Sequence, residues 1–203
     1  MGRRSDHSRE ELRSMIVAEG HRQLAEVGYA RFSAREVAKR IGYSIGTLYN
    51  VFGSLDHLIL AINGLTLDHW KHHLETRLAG QVENRLHTAI EAYFEFAVLH
   101  GHAWTALYDF RLPIDEVMPA FYQEKVTGIT DIVVTEIAAA LPEAHRSRAP
   151  ALARSLLACV HGHCFFTLNG TFRLMGEDDP LEAAYARVTE AIRAARREVG
   201  LDA

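Results

Sequence analysis

Two cysteines, five prolines and two tryptophans are all that 203 residues contain of these types. The cysteines, Cys159 and Cys164, are five apart and do not stack on a helix, so no disulfide is expected between them. So sparse a set fits a reducing compartment, and a cytoplasmic location is expected. Alternating strand patterns are scarce, and the single Asn-Gly pair, Asn169-Gly170, lies inside a longer apolar segment. A β fold is therefore not expected. No run approaches the roughly 18 apolar residues of a membrane span, and the polar stretch Met1–Glu11 does not read as a signal peptide. A nucleophile elbow, a Gly-rich phosphate loop and an HExxH pair are also missing. Little remains to support an enzyme, either a helical hydrolase using His and Asp or a metal-dependent one.

What is present is asymmetric. Residues 1–55 hold nine Lys/Arg against six Asp/Glu, a net of +3, which leaves −7 for the rest of a chain with formal charge −4. A basic end on an acidic body points to a polyanionic partner at that end.

Helical periodicity runs throughout. Ser8-Arg9-Glu10-Glu11 and Ser33-Ala34-Arg35-Glu36 both read as capping boxes. The first opens a helix with Leu12, Ile16 and Leu24 inward, stopped by Gly28. The second opens a short helix stopped by Gly42. Ser44 caps a two-turn helix to Phe52, and Ser54 a long one over Leu55–Leu78. Further helices are expected over about 82–100, 102–111, 115–141 (with Pro119 in its first turns), 150–175 and 180–199. The last opens with Asp179 as N-cap and Pro180 at its first position. The expected fold class is all-α, with nine or ten helices. Residues 1–55 form a three-helix domain and residues 56–203 a larger helical domain.

The segment Ser33–Phe52 has the make-up of a helix-turn-helix. Gly42 supplies the left-handed residue that ends the first helix. Val37, Ile41, Ile45, Leu48 and Phe52 are spaced to form a small core. The second helix then keeps one face of small or hydrogen-bonding residues, Gly46, Thr47, Tyr49 and Asn50, which suits a DNA groove. Thr47 and Tyr49 can donate to phosphates, Asn50 can pair with an adenine edge, and the helix N-terminus offers N–H groups to a phosphate.

"FSAREVAKRIGYSIGTLYNVFGSLDHLI", residues 32–59, resembles the DNA-binding segment of the TetR family of transcriptional regulators. The likeness covers about residues 8–65, and its aromatic-Ser…Val-Ala…Gly-x-Ser-x-Gly-Thr-Leu-Tyr-x-x-Phe spacing is held without gaps. It implies a two-domain helical homodimer on double-stranded operator DNA, with a small-molecule effector bound in the C-terminal helices. It also implies Ser33 and Arg35 on backbone phosphate, and Ser44, Ile45, Gly46, Thr47, Tyr49 and Asn50 at the groove. Two positions depart from the family pattern. Leu55 stands where a phosphate-binding lysine is usual, and Val51 where histidine is usual, so the reading helix carries no cation. Phosphate grip would fall to Arg3, Arg4, Arg9, Arg31, Arg35, Lys39 and Arg40.

In the second part, aromatic and polar residues interleave. Tyr93, Phe96, His100, Trp104, Tyr108, Phe121, Tyr122, His161, Phe165 and Asn169 are the candidate effector-binding residues. A pocket filled by the chain's own side chains, with no inducer, is the other reading of the same set. Twelve histidines raise the question of metal. The two HGH triplets, His100–His102 and His161–His163, each place their histidines on nearly opposite sides of a helix, and no third ligand is evident. Neither a metal site nor a cofactor is expected. The last two helices carry apolar stripes, Leu152, Leu156, Cys159 and Val160 on one and Leu181, Ala184, Tyr185, Val188 and Ile192 on the other. Either self-association or packing within the protomer would use them.

Overall fold

A computed structural model of the chain describes residues 7–197. Arg3, Arg4 and the expected helix end at Val199 lie outside them. The described residues form ten α-helices and no strand. They are α1 (Arg9–Val27), α2 (Ala34–Arg40), α3 (Ile45–Phe52), α4 (Leu55–Leu78), α5 (Arg85–Leu99), α6 (Gly101–Asp109), α7 (Ala120–Ala140), α8 (Ala149–Leu168), α9 (Thr171–Met175) and α10 (Pro180–Arg197). Short 3₁₀ turns lie at Tyr29–Arg31 and Glu143–Arg148.

The helices fall into two compact units. The first comprises the chain up to Trp70 together with His100–Lys125, and the second comprises Lys71–Leu99 and everything from Val126 onward. The boundary passes within α4 and α7 and between α5 and α6.

In the first unit, Leu12, Ile16 and Leu24 of α1, Val37 and Ala38 of α2, Leu48 and Phe52 of α3, Leu58, Ala61 and Ile62 of α4 and Ala106 of α6 share one buried core. α1 and α4 approach closely at Gly20, where a Cβ would lie 2.4 Å from Ile62 Cδ1 and that side chain would have to shift. Ser8 and Glu11 form the expected reciprocal capping box. The second box is only half built. Ser33 Oγ accepts from the Glu36 N–H at 3.3 Å, but the Ser33 N–H donates instead to Oε1 of the buried Gln23, at 2.9 Å. Glu36 turns to Arg40. A long-range partner has displaced the local one.

In the second unit α5, α8 and α10 pack on one another, burying Ile90, Ala97, Leu156, Val160, Ala184, Val188 and Ile192. Most of the α8 and α10 stripes are thus spent inside the protomer. Arg85 forms a two-pronged pair with Glu136, at 2.8 and 2.6 Å, and also donates to the carbonyls of Leu78 and Gln81, closing the end of α4.

Three expected boundaries move. α7 begins at Ala120, not 115, because Pro119 pushes Met118 out of helical geometry and its own carbonyl heads the helix, accepting from Tyr122 and Gln123. The helix expected over 150–175 is split at Asn169-Gly170, where Gly170 takes φ 76°. Between the helices expected over 115–141 and 150–175, residues Glu143–Arg148 form a 3₁₀ turn that runs directly into α8 at Ala149. By length and composition one helix, Glu143–Leu168, is long and apolar enough to cross a membrane, contrary to the expectation of none; only 22% of that window is buried in the chain.

Candidate nucleic-acid interface

The turn that aims α3 is built by Gly42. With φ 76° it lets its own N–H reach the Lys39 carbonyl at 3.1 Å and the Tyr43 N–H reach the Ala38 carbonyl at 2.9 Å, closing the end of α2. Ser44 caps α3, accepting from the Thr47 N–H at 3.2 Å. Its hydroxyl also pairs with that of Thr47 at 3.0 Å. The N–H groups of Ile45 and Gly46 then head the helix without acceptors of their own, as first-turn groups do. On the inner side Leu48 and Phe52 are buried, with Ile45 and Val51 packed partly against the same core. Outward lie Gly46, Tyr49 and Asn50, all exposed, with Thr47 half-buried at the edge. The structure therefore brings Gly46, Thr47, Tyr49 and Asn50 together on one side of a firmly seated helix, while Ile45, also expected at the groove, packs partly on the core.

The cations around this face are not equivalent. Arg40 donates to Glu26, Glu36 and Glu19 at 2.9, 3.2 and 3.3 Å, and these carboxylates raise its pKa further. Arg22 is held by Glu19 and Glu26. The network ties α1 to α2 and takes Arg40 out of the set of free cations. Arg13 lies over the Phe52 ring, 4.7 Å from its centroid. Arg31 donates to the Val27 carbonyl, and Lys39 sits 4.0 Å from Glu36. Arg9 and Arg35 are exposed and outside these pairs. Ser33, at the head of α2, is half-buried, with its N–H committed to Gln23.

The candidate effector residues divide between the units. In the first, Trp104 and Tyr108 are tilted rings 5.1 Å apart on α6, and Phe121 and Tyr122 sit on the first turn of α7. Burial, with a contribution from Tyr108, pushes the Tyr122 hydroxyl up to about 12. His100 stands at the N-cap of α6. In the second unit, Tyr93 OH meets His161 Nδ1 at 2.9 Å, Phe165 stacks on His161, and Phe96 is buried. Burial lowers the pKa of His161. Asn169 is committed to its turn, its Oδ1 accepting from the N–H and hydroxyl of Thr171.

The second histidine of each HGH triplet is committed to a backbone carbonyl. His102 pairs with the Ala25 carbonyl, while His163 folds back on the Cys159 carbonyl. Among the described residues no group of three or more His, Cys, Asp or Glu is placed to hold a metal ion. The sequence reading missed Gln23, Asn63 and Thr66, which are buried polar residues at helical positions that also suit core packing. Only the capping residue opposite Gln23, Ser33, gave any hint.

Residues 16–62 match the family model of the bacterial regulatory proteins of the tetR family, and residues 86–199 match that of the tetracyclin repressor-like C-terminal domain. No curated protein matches the chain. Among solved structures, a protein of unknown function from Rhodococcus sp. RHA1 is 19% identical with a TM-score of 0.66, covering 96% of this chain and 98% of its own. A tetR-family transcriptional regulator from Streptomyces coelicolor is 17% identical with a TM-score of 0.61, covering 96% and 90%. The multidrug binding protein EbrR, complexed with imidazole, is 18% identical with a TM-score of 0.59, covering 92% and 96%. The chain belongs to the TetR family of transcriptional regulators.

Proposed function

We propose that the chain is a ligand-responsive repressor, a homodimer released from a palindromic operator when a small apolar molecule binds its helical C-terminal part. Residues 1–55 would serve as the DNA-binding domain, residues 56–203 as the ligand-binding and dimerisation domain. The observation that carries the reading is α3 itself. Its inner face is locked into a core, while its outer face is small, polar and open. A Cβ on Gly46 would meet nothing closer than Ser44 Oγ at 3.6 Å, so the helix presents a low surface to a groove.

In this reading Ser33 and Arg35 hold phosphate, with Arg9 as a further grip. Ile45, Gly46, Thr47, Tyr49 and Asn50 face the bases, and the head of α3 at Ser44 lies against the backbone. With Arg40 and Arg22 held by carboxylates, a dimer neutralises no more than about eight phosphates, so log K falls with log salt by a slope of at most about 7. An effector in the C-terminal part acts only by binding one conformation better than the other. Its aromatic and histidine residues, Tyr93, Phe96, His100, Trp104, Tyr108, Phe121, Tyr122, His161, Phe165 and Asn169, are the candidate contacts. That EbrR is a multidrug binding protein supports this part.

Self-association through α8 and α10 is supported by what packing leaves over. Ala151, Ser155 and Ala158 are exposed on α8, Gly162 has nothing within 4 Å of a Cβ position, and Phe165 follows on the same side. Arg154 is exposed beside them, and the small residues around it leave room for a second copy of the chain. A cytoplasmic, non-enzymatic role follows from the same reading. Selection from a random duplex library tests the whole. Enrichment of an inverted repeat with half-sites one helical turn apart, about 34–36 Å, is expected; a library that shows no enrichment would sink the proposal.

A further inference from the structure

Helix α4 carries two polar side chains at zero exposure, Asn63 and Thr66, one turn apart. Asn63 Nδ2 donates to the Ala106 carbonyl of α6 at 3.2 Å. That bond fixes the amide, since the flipped form would set two acceptors face to face. Asn63 Oδ1 is left buried with no protein partner. Thr66 is equally unpaired at Oγ1. Threonines elsewhere in the helices behave differently. Thr105, Thr130, Thr135 and Thr167 each donate to the carbonyl four residues back, at 2.7 to 2.9 Å.

The two orphans look into one wedge of the first unit. Asn63 faces α6. Ile62 packs on Gly20 of α1, and His69 sets its ring edge-on to that of His21, with centroids 5.0 Å apart. Thr66 lies on the line from Ile62 to His69, so it sits between α1 and α6. A third unpartnered buried atom, His21 Nε2 of α1, belongs to the ring set against His69. Burial, then His69 and His100, lowers the pKa of His21 to about 4, so its ring is neutral at physiological pH. The carboxylate of the neighbouring Asp68 is taken by Lys125. Ile59 of α4 and Ala103 and Ala106 of α6 are buried apolar residues of the same helices.

A buried unpaired oxygen costs about 1–3 kcal/mol, so two of them one turn apart on α4 call for a common explanation. Asn63 Oδ1 can only accept. It therefore demands a donor, which a carboxylate, phosphate or ester cannot supply. A hydroxyl donates once and accepts twice, and so can serve Asn63 and Thr66 together; an amide N–H with its carbonyl does the same.

We infer that the wedge between α1, α4 and α6 recognises the polar head of the effector, and that this effector is a neutral molecule with a hydrogen-bond donor, an alcohol or amide on an apolar body. The inference rests on the reading of the chain as effector-responsive and adds the class of molecule. Because α1 belongs to the same core as α2 and α3, a head bound here touches the reading module directly.

The test uses thermal melts of the full chain with 1-hexanol, hexanamide, methyl hexanoate and hexanoate. The two donors are expected to raise the wild-type Tm, and the two acceptors to leave it unchanged. Thr66→Val removes an unpaired hydroxyl at nearly constant volume. It is expected to raise the Tm of the free protein by about 2–4 °C and to weaken hexanol binding about tenfold, while Thr66→Ser keeps the wild-type response. Equal shifts from donors and acceptors, or no shift from any probe, overturn the inference. So does a Thr66→Val protein with a lowered or unchanged Tm, which would mean that the hydroxyl is already satisfied by ordered water. None of these readouts involves DNA, so a failure here is separate from a failure to enrich an operator.

Discussion

Two exposed helical faces among the described residues, those of α3 and α8, differ in kind. That of α3 presents Gly46, Thr47, Tyr49 and Asn50, small or hydrogen-bonding groups with no charge. That of α8 presents Ala151, Ser155, Ala158 and Phe165, small or apolar, with Arg154 exposed beside them. A face of the first kind loses little in water and gains specificity only against a partner with its own donors and acceptors, as base edges have. A face of the second kind gains by being covered, because apolar area removed from water is stabilising whatever its pattern. Under the proposed function, surface chemistry divides the roles, with nucleic acid for one and a second protomer for the other.

The comparison breaks first if the two sides of α3 are not separable. Leu48 is 1% exposed at the centre of the core beneath the reading face. Leu48→Ala is expected to cost about 2–5 kcal/mol by denaturant unfolding, with DNA affinity falling because the helix is no longer seated. On the α8 face, Gly162→Arg adds a charged side chain where nothing lies within 4 Å of a Cβ. Sedimentation velocity is expected to show a monomer, with a Tm within a few degrees of wild type. A dimer that survives would place the interface elsewhere.

A smaller effect lies behind the reading module. His21 has a folded pKa near 4, below its ordinary 6.5. Between those values the unfolded chain takes up a proton that the folded chain refuses, so stability falls as pH drops from about 6.5 to about 4 and levels off below. After allowance for its residual exposure, the loss is on the order of 1–2 kcal/mol. His21→Phe is expected to flatten that part of the stability–pH curve, read by urea melts at pH 7 and pH 5. An unchanged slope would locate the acid sensitivity in other groups.

How much of this was legible in the sequence depended on the range of each interaction. The Ser8 box, the Gly42 turn and the Ser44 cap involve neighbours a few residues apart, and all are read from spacing. The inner and outer faces of α3 followed from helical period alone. The second capping box failed because Gln23, ten residues upstream, took the Ser33 N–H. Arg40 looked available for phosphate until folding brought Glu19 and Glu26 against it. The same limit hid Asn63 and Thr66, since nothing local distinguishes a satisfied buried polar residue from an orphaned one. The division of the candidate effector residues between two units likewise depends on where α4 and α7 pass from one to the other.

The central claim is that the exposed side of α3 reads DNA. The most direct measurement is the affinity of Thr47→Ala/Tyr49→Phe for a selected operator duplex at fixed salt. These changes remove two hydroxyls from the open face and leave the buried residues untouched. The account predicts a loss of about tenfold or more on the operator, a smaller loss on unrelated duplex, and an unfolding free energy within about 0.5 kcal/mol of wild type. Unaltered operator affinity would contradict it.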